Sequence, residues 1–466
     1  MDEQRFEEYF SQHRQEMIRD LESLVRIEST RGEPQAGQPY GPGPAEVLEA
    51  AMALTRQYGF TVTDHEHYVM TVDMNDKPRQ LDILAHLDVV PGGEGWTVTE
   101  PFAPKLVGSR LYGRGTSDDK GPAVAALYAM RAIKELGVPL SKNVRLILGT
   151  DEECGSSDID YYYRHQTPAP MTFTPDAEFP VINIEKGRAH GIFTAQWQGT
   201  DALPRLESFH CGQRANVVPP KATARVLGLS ARQVRPTAAE VSSLTGAGYD
   251  LAEIDGGVEI TAVGTGAHAA HPGGGNNALT ALVELLCRLP LAPDGAMEKL
   301  NALREMFPHG DWRGNAAGIA MQEPRAGEST IVCSVLHLED NALRGELDAR
   351  TPLNGTKENV ADVLTERMAA GGLVLDCHFR PPHHVPEDAP LVQELLHCYE
   401  LYTGQKGKAL SMGGGTYVNG LPGGVAFGCL MPGAEDRMHA ADEYTDIDNL
   451  ILCARMFARA IIDLCG

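Results

Sequence analysis

Several things are scarce or missing in this 466-residue chain, and each absence closes off a class of protein. The nine cysteines are scattered, odd in number and never arranged as CxxC. That pattern speaks against a cysteine-bound zinc and against a disulfide framework, and fits reduced thiols in a cytoplasm. No apolar run is long enough to cross a bilayer, so no membrane role is expected. The opening MDEQRFEEYFSQHRQEM is polar and acidic, unlike the apolar core of a signal peptide. Basic residues are in deficit, 40 Lys and Arg against 63 Asp and Glu, for a formal net charge of −23. A surface of that sign repels phosphate, which removes nucleic acid as an expected partner, and its simplest meaning is solubility. There is no low-complexity tract and no short repeat.

What is present is ordinary globular material, 42% hydrophobic and 22% charged, in a chain long enough for two or three domains. Phe6, Tyr9, Phe10, Met17, Leu21, Leu24 and Val25 fall at helical spacing within 3–26, as on an amphipathic surface helix. A Gly/Pro-rich loop (27–44) precedes a helix from about 45 to 58 that ends at Gly59. Residues 60–72 and 80–90 read as strands, and 122–136 as a helix with Pro122 in its first turn and Gly137 past its end. VRLILGT (144–150) is a short apolar strand of the kind found inside parallel sheets. This alternation predicts an α/β catalytic domain with a mostly parallel central sheet flanked by helices.

Over 186–380 the pattern becomes α+β, with strand-like runs AHGIFTAQW, ATARVLG, GVEITAVG, STIVCSVLHLED and ALRGELDAR and helices near 276–288 and 356–371. The α/β pattern returns with the helix PLVQELLHCYELYTG, the turn SMGGGTYVNG, the strand GVAFGCL and the helix NLILCARMFARAIIDL. The expected organisation is one domain built from 1–185 and 381–466, with a second inserted over 186–380.

Candidate chemistry collects at predicted strand ends. LDILAHLDVV (81–90) runs into His86 and Asp88, two apart and so on one face of an extended segment. An open α/β sheet places its ligands at that end of its strands, and a nearby carboxylate can orient a metal-binding imidazole. Taken alone, His86 is equally a core histidine and Asp88 a turn residue. Asp118 and Asp119 precede a helix and could be plain N-caps. Glu152 and Glu153 follow the buried strand 144–150, where two adjacent carboxylates are costly without a cation or a proton. Asp176 and His439 are uninformative singly. Together, several carboxylates and two histidines with no thiolate cluster suit zinc, manganese or cobalt, and a pair of metals sharing one carboxylate would activate a water.

The blocks HLDVVP, GRGTSDDKGP, TDEECGSSD, TPDAEFP, GAHAAHPGGGNNA and EDRMHAADE resemble, in order and over nearly the full length, those of the two-zinc metallopeptidase family. That family includes aminoacylases, glutamate carboxypeptidases, succinyl-diaminopimelate desuccinylases and PepV-type dipeptidases. The resemblance implies that Asp118 bridges two divalent metals (zinc first, manganese or cobalt as alternatives). His86 and Asp176 would complete one site, and Glu153 and His439 the other. Glu152 would be the general base and Asp88 the group that orients His86. A cis peptide is implied between Asp118 and Asp119, with Asp119 behind the ligands.

Within the family the PepV-type dipeptidase is the nearest match. SMGGGTYVNG is similar to its substrate-pocket turn (Gly414, Gly415, Thr416). Asn216 in GQRANVVPPKA, His268 in GTGAHAAHP and Arg350 in LDARTP stand where its lid residues do. The long insertion is similar to that type's doubled lid of two ferredoxin-like halves, which implies a monomer. The implied reaction is dipeptide hydrolysis, with His268 at the oxyanion, Arg350 on the C-terminal carboxylate and a lid that limits substrate length. Two alternatives stay open: an enzyme acting on N-acyl amino acids (aminoacylase, desuccinylase or carboxypeptidase), and a non-catalytic family member.

Overall fold

Strand Arg79–His86 lies inside a nine-stranded sheet and is buried on both faces. Leu81, Ile83 and Ala85 enter a large core shared with the helices Glu3–Val25, Lys120–Glu135 and Ile447–Cys465. Leu84 enters a smaller core with Val69, Ile147, Ile159, Tyr162, Tyr417 and Val418. Because successive side chains alternate between faces, burial on both sides accounts for the unbroken apolar run, each fully buried Leu or Ile contributing about 1.5–3 kcal/mol. His86 shares a face with Leu84, and its ring stands edge-on to Tyr417 at 6.1 Å.

Both neighbours of this strand, Asn143–Gly149 and Met171–Thr174, run parallel to it. Gly424–Ala426 extends the parallel run beyond Met171–Thr174. Thr61–His65 and Val69–Asp73 close one edge in antiparallel fashion. The three central strands therefore end on the same side, where His86 closes one strand and the segments after the other two carry Glu152 with Glu153, and Asp176.

The computed structural model describes residues 2–466, which pack as two units. The first comprises the chain up to Ile184 together with His384–Ser411 and Gly415–Gly466. The second comprises Glu185–His383 and Met412–Gly414. Its eight-stranded sheet has the order Gly248–Ile254, Gly257–Val263, Lys221–Leu227, Arg205–Cys211, Thr330–Glu339, Ala342–Thr351, Gly187–Gln196, Val374–Arg380. Four helices, Ala231–Thr245, Ala278–Leu286, Gly295–Met306 and Ala361–Ala370, share a core with one face of that sheet.

Several local expectations need correction. The predicted strand 60–72 is two strands, Thr61–His65 and Val69–Asp73, joined by a turn in which Glu66 and His67 take positive φ. The strand expected to reach 90 stops at His86. The second unit has two further helices, and both hid their signal in sequence. Ala231–Thr245 contains Pro236, and Gly295–Met306 begins on glycine, both poor formers by propensity. The glycine-rich turn at 411–420 also divides, since Met412–Gly414 packs with the second unit. There the Met412 carbonyl accepts from Lys186 N at 3.0 Å, and Gly413 lies so close to Ala270 that a Cβ would sit 2.5 Å from its methyl. All nine cysteines are free thiols, and no helix among the described residues is long and apolar enough to cross a membrane.

Candidate metal centre

Two groups of side chains converge within the first unit, each with ligand atoms inside 4.8 Å of one another: His86, Glu152 and Asp176, and Asp118, Glu153 and His439. Asp118 stands between the two histidines. Its Oδ1 is 3.0 Å from His86 Nε2 and its Oδ2 is 2.9 Å from His439 Nε2. His86 Nε2 is also 3.7 Å from Asp176 Oδ2, and His439 Nε2 is 3.1 Å from Glu153 Oε1. One carboxylate presenting one oxygen to each of two imidazoles is the arrangement of a bridging ligand.

The surrounding chain explains how these groups are held. The peptide between Asp118 and Asp119 is cis. Asp119 occupies the N-cap of the helix Lys120–Glu135 yet makes no side-chain cap bond. Instead its Oδ2 accepts from His86 N at 3.0 Å. Asp88 lies beyond the strand end, so its relation to His86 is not the simple same-face pairing that the spacing predicts. Its main-chain carbonyl is 3.0 Å from His86 Nδ1, while its carboxylate is 3.4 Å away. With Nδ1–H donating to that carbonyl, the lone pair of Nε2 is left facing Asp118 and Asp176. The carboxylate of Asp88 accepts instead from Glu152 N (3.2 Å) and Glu153 N (3.1 Å), the N–H groups that begin the short 3-10 turn Glu152–Cys154 and have no partner within it.

Two residues that sequence did not single out complete the frame. Glu443 is fully buried and accepts from the N–H groups of Gly115, Ser117 and Asp118 and from Arg114. Asp158, also fully buried, accepts from Thr150 N (2.6 Å) and Asp151 N (3.0 Å), the residues leading into Glu152. Either could have been suspected only as an acidic residue at an odd place; nothing in its local sequence marks it.

The electrostatics favour added positive charge. Burial raises the carboxyl of Glu153 to about 7, with Asp118 pushing the same way. Burial and Asp176 raise Glu152 well above the carboxylate range, and burial with Asp118 raises Asp176. Burial opposes charge on His439, yet Asp118 and Glu153 pull it up to about 11. On Asp118 the histidine contacts outweigh burial and hold it below its ordinary value. His86 Nε2 is buried and makes no hydrogen bond among the described residues. Four clustered carboxylates and an imidazole nitrogen with no proton partner, aimed into the cluster, fit the oxygen and nitrogen donor set of divalent transition ions.

The remaining predicted site residues are divided between the units. Gly415 and Thr416 belong to the first, and Asn216, His268, Arg350 and Gly414 to the second. In the second unit Val217 pairs with His268 and the Asn216 carbonyl accepts from Ala269 N at 2.9 Å, which brings Asn216 and His268 together. Thr330 Oγ1, donating to Ala269 O at 2.9 Å, fastens this loop to the strand that pairs with the one bearing Arg350.

Comparison with known proteins places the chain in a family. Residues 83–463 match Peptidase family M20/M25/M40. The chain is 34% identical over 457 residues to "Putative dipeptidase YtjP" of Bacillus subtilis (strain 168), covering 97% of each. It is 33% identical over 465 residues to the Beta-Ala-Xaa dipeptidase of Lactobacillus delbrueckii subsp. lactis, covering 98% of each. Its fold is that of the di-peptidase Dug1p from Saccharomyces cerevisiae, with a TM-score of 0.63 at 12% identity over 98% of both chains. The chain is an enzyme of peptidase family M20/M25/M40.

Proposed function

We propose that this enzyme is a metal-dependent dipeptidase with two divalent ions per chain. The observation that carries the proposal is Asp118, which offers one carboxylate oxygen to the His86 group and the other to the His439 group. Asp118 would be shared, His86 and Asp176 would hold one ion, and Glu153 and His439 the other; zinc leads, with manganese and cobalt taking the same donors. Bound there, the ions would supply Lewis acidity toward the scissile carbonyl and acidify a water.

Glu152 is the proton carrier. Burial, with Asp176 adding to it, raises its carboxyl, which makes the carboxylate a stronger base for taking a proton from the attacking water and returning it to the leaving amine. Asp88 keeps Glu152 in place through the N–H of the turn and keeps His86 in the right tautomer through its carbonyl. From the second unit, Asn216 and His268 would meet the substrate around its reacting carbonyl and Arg350 its C-terminal carboxylate. Gly414, Gly415 and Thr416 would line the substrate backbone. The dipeptide as substrate rests on relatives named dipeptidases that match this chain end to end, and the enzyme is proposed to act as a monomer.

The test is to strip metal with a chelator, add back Zn, Mn or Co, and compare a dipeptide panel with N-acetyl amino acids. Restored dipeptide hydrolysis with two ions per chain supports the proposal, whereas restored activity on N-acetyl amino acids alone would replace it with an aminoacylase. Glu152→Gln should keep both ions and lose about a thousandfold or more in kcat, the scale of positioned general-base catalysis. Near-normal turnover of that variant would remove Glu152 from the role.

A further inference from the structure

The second unit's sheet turns Ala189 and Phe193 toward its helices. On the opposite face, Arg188 is in register with Arg350 on one neighbouring strand and with Arg380 on the other. Three guanidinium groups thus stand in one row across three strands. A single carboxylate lies among them. Asp348 accepts from Arg350 Nε at 2.6 Å through Oδ1, and from Arg188 Nε at 2.7 Å and Arg350 Nη2 at 3.2 Å through Oδ2. Arg350 spends a further donor on the Gly413 carbonyl at 2.8 Å.

The other two arginines are less committed. Arg188 reaches Asp348 through Nε alone, and its side chain is 35% exposed. Arg380 Nε is buried and has no hydrogen-bond partner among the described residues. Two other acids on this face of the sheet stand outside the row: Glu346 is 2.8 Å from Arg344 and 3.4 Å from His190, and Asp376 lies further along the Arg380 strand, in register with Ile192. Three guanidinium charges against Asp348 leave positive charge uncompensated, in a chain whose net charge is −23. A guanidinium does not escape by losing its proton, so the missing partner is an anion.

Spacing narrows the choice of anion. Neighbouring strands are about 4.8 Å apart. The two carboxylates of an aspartate or glutamate residue are separated by about 4–5 Å, given bonds of ~1.5 Å. A dicarboxylate therefore seats one carboxylate at each of two neighbouring members of the row and brings two charges to it, where a monocarboxylate brings one.

We propose that Arg188 and Arg380 form a carboxylate subsite beside Arg350 that selects dipeptides ending in glutamate or aspartate. The α-carboxylate goes to Arg350 and the side-chain carboxylate to Arg188 and Arg380. This rests on the dipeptidase reading and on Arg350 as its carboxylate-binding residue.

The test compares kcat/KM for Ala-Glu with that for its isostere Ala-Gln, each enzyme serving as its own reference. The wild type should favour Ala-Glu by about tenfold or more, a ratio within reach of one charged contact. Arg380→Gln should reduce the ratio, and the Arg188→Gln/Arg380→Gln double variant should abolish it. Calorimetric titration of the wild type with glutarate and with its half-amide gives a second reading that needs no turnover: glutarate should bind more tightly, and the double variant should lose the difference. Equal hydrolysis of Ala-Glu and Ala-Gln by the wild type, or a preference that survives in the double variant, overturns the subsite while leaving the dipeptidase intact. If neither dipeptide is cleaved and N-acetyl amino acids are, the dipeptidase reading fails and this specificity fails with it; a glutarate preference lost in the double variant would then show that the arginine pair binds a dicarboxylate all the same.

Discussion

Removing Glu443 should damage both the stability of the protein and the loop that carries Asp118. The residue is fully buried, and its carboxylate takes the Arg114 Nη1 donor at 2.6 Å and the N–H groups of Gly115, Ser117 and Asp118 at 3.0, 2.8 and 3.2 Å. Arg114 is itself 2% exposed, and its other acceptors, the carbonyls of Pro91 and Gly92, are long at 3.4 and 3.3 Å. Glu443→Ala strands a buried guanidinium, which costs about 3–5 kcal/mol, and releases three N–H groups whose cost overlaps with it. At ~2–4 °C per kcal/mol for a unit of this size, the melting temperature should fall by roughly 6–20 °C.

The assay is denaturant and thermal unfolding of Glu443→Ala, Arg114→Ala and the double variant. Each single variant leaves an unpaired charge and the double leaves none, so the double should cost less than the sum by about 0.5–3 kcal/mol. Burial raises the Glu443 carboxyl despite Arg114, so the pair serves placement of the 114–118 loop more than net stability. Hydrolysis should therefore fall along with stability in Glu443→Ala, because the N–H of Asp118 is released. A loss under ~1 kcal/mol, or strictly additive singles, would refute the reasoning.

Three further outcomes are expected. Glu284 is contacted by Arg304 (2.5 Å) and Arg288 (2.6 Å); burial pushes its carboxyl up, but these two arginines outweigh that and hold it below its ordinary value. Its contribution is therefore present above the unfolded carboxyl range and lost as pH falls through the lower folded value, so Glu284→Gln should cost about 1–3 kcal/mol at neutral pH and progressively less below about pH 4, by urea unfolding across pH. Gly149→Ala would place a Cβ 2.1 Å from Tyr417 Oη and 2.3 Å from Asp158 Oδ2; displacing them should cost about 1–3 kcal/mol and weaken metal affinity measured by competition with a chromophoric chelator. Asp88→Ala should lower kcat more than it lowers stability, since it releases the two N–H groups that begin the glutamate turn, a change that steady-state kinetics beside thermal melts will separate.

The strand-end candidates were readable because strand periodicity and chain order do most of the work. A buried parallel strand must present its C-terminal end at the sheet edge, so LDILAH and VRLILGT announce where His86 and the glutamate pair emerge. The role of Asp88 was only half readable. Its spacing from His86 implied a shared face, but the strand stops first, and the carbonyl takes the contact expected of the carboxylate. Glu443 and Asp158 were invisible, because a buried carboxylate that gathers distant N–H groups has no local pattern. The helix over Ala231–Thr245 was hidden by Pro236, a poor helix former that tertiary packing overrides.

Sequence alone therefore determined which chemistry is available: mixed imidazole and carboxylate donors, no thiolate cluster, an α/β frame and an inserted α+β segment. These follow from residue type and short-range periodicity, which need no partner. Tertiary structure decided which oxygen of Asp118 faces which histidine, which group holds the glutamate turn, and that Arg188, Arg350 and Arg380 share one row with a single carboxylate. Those are relations between residues far apart in the chain, settled by strand register and by where buried charges find compensation, and neither is written in any local stretch.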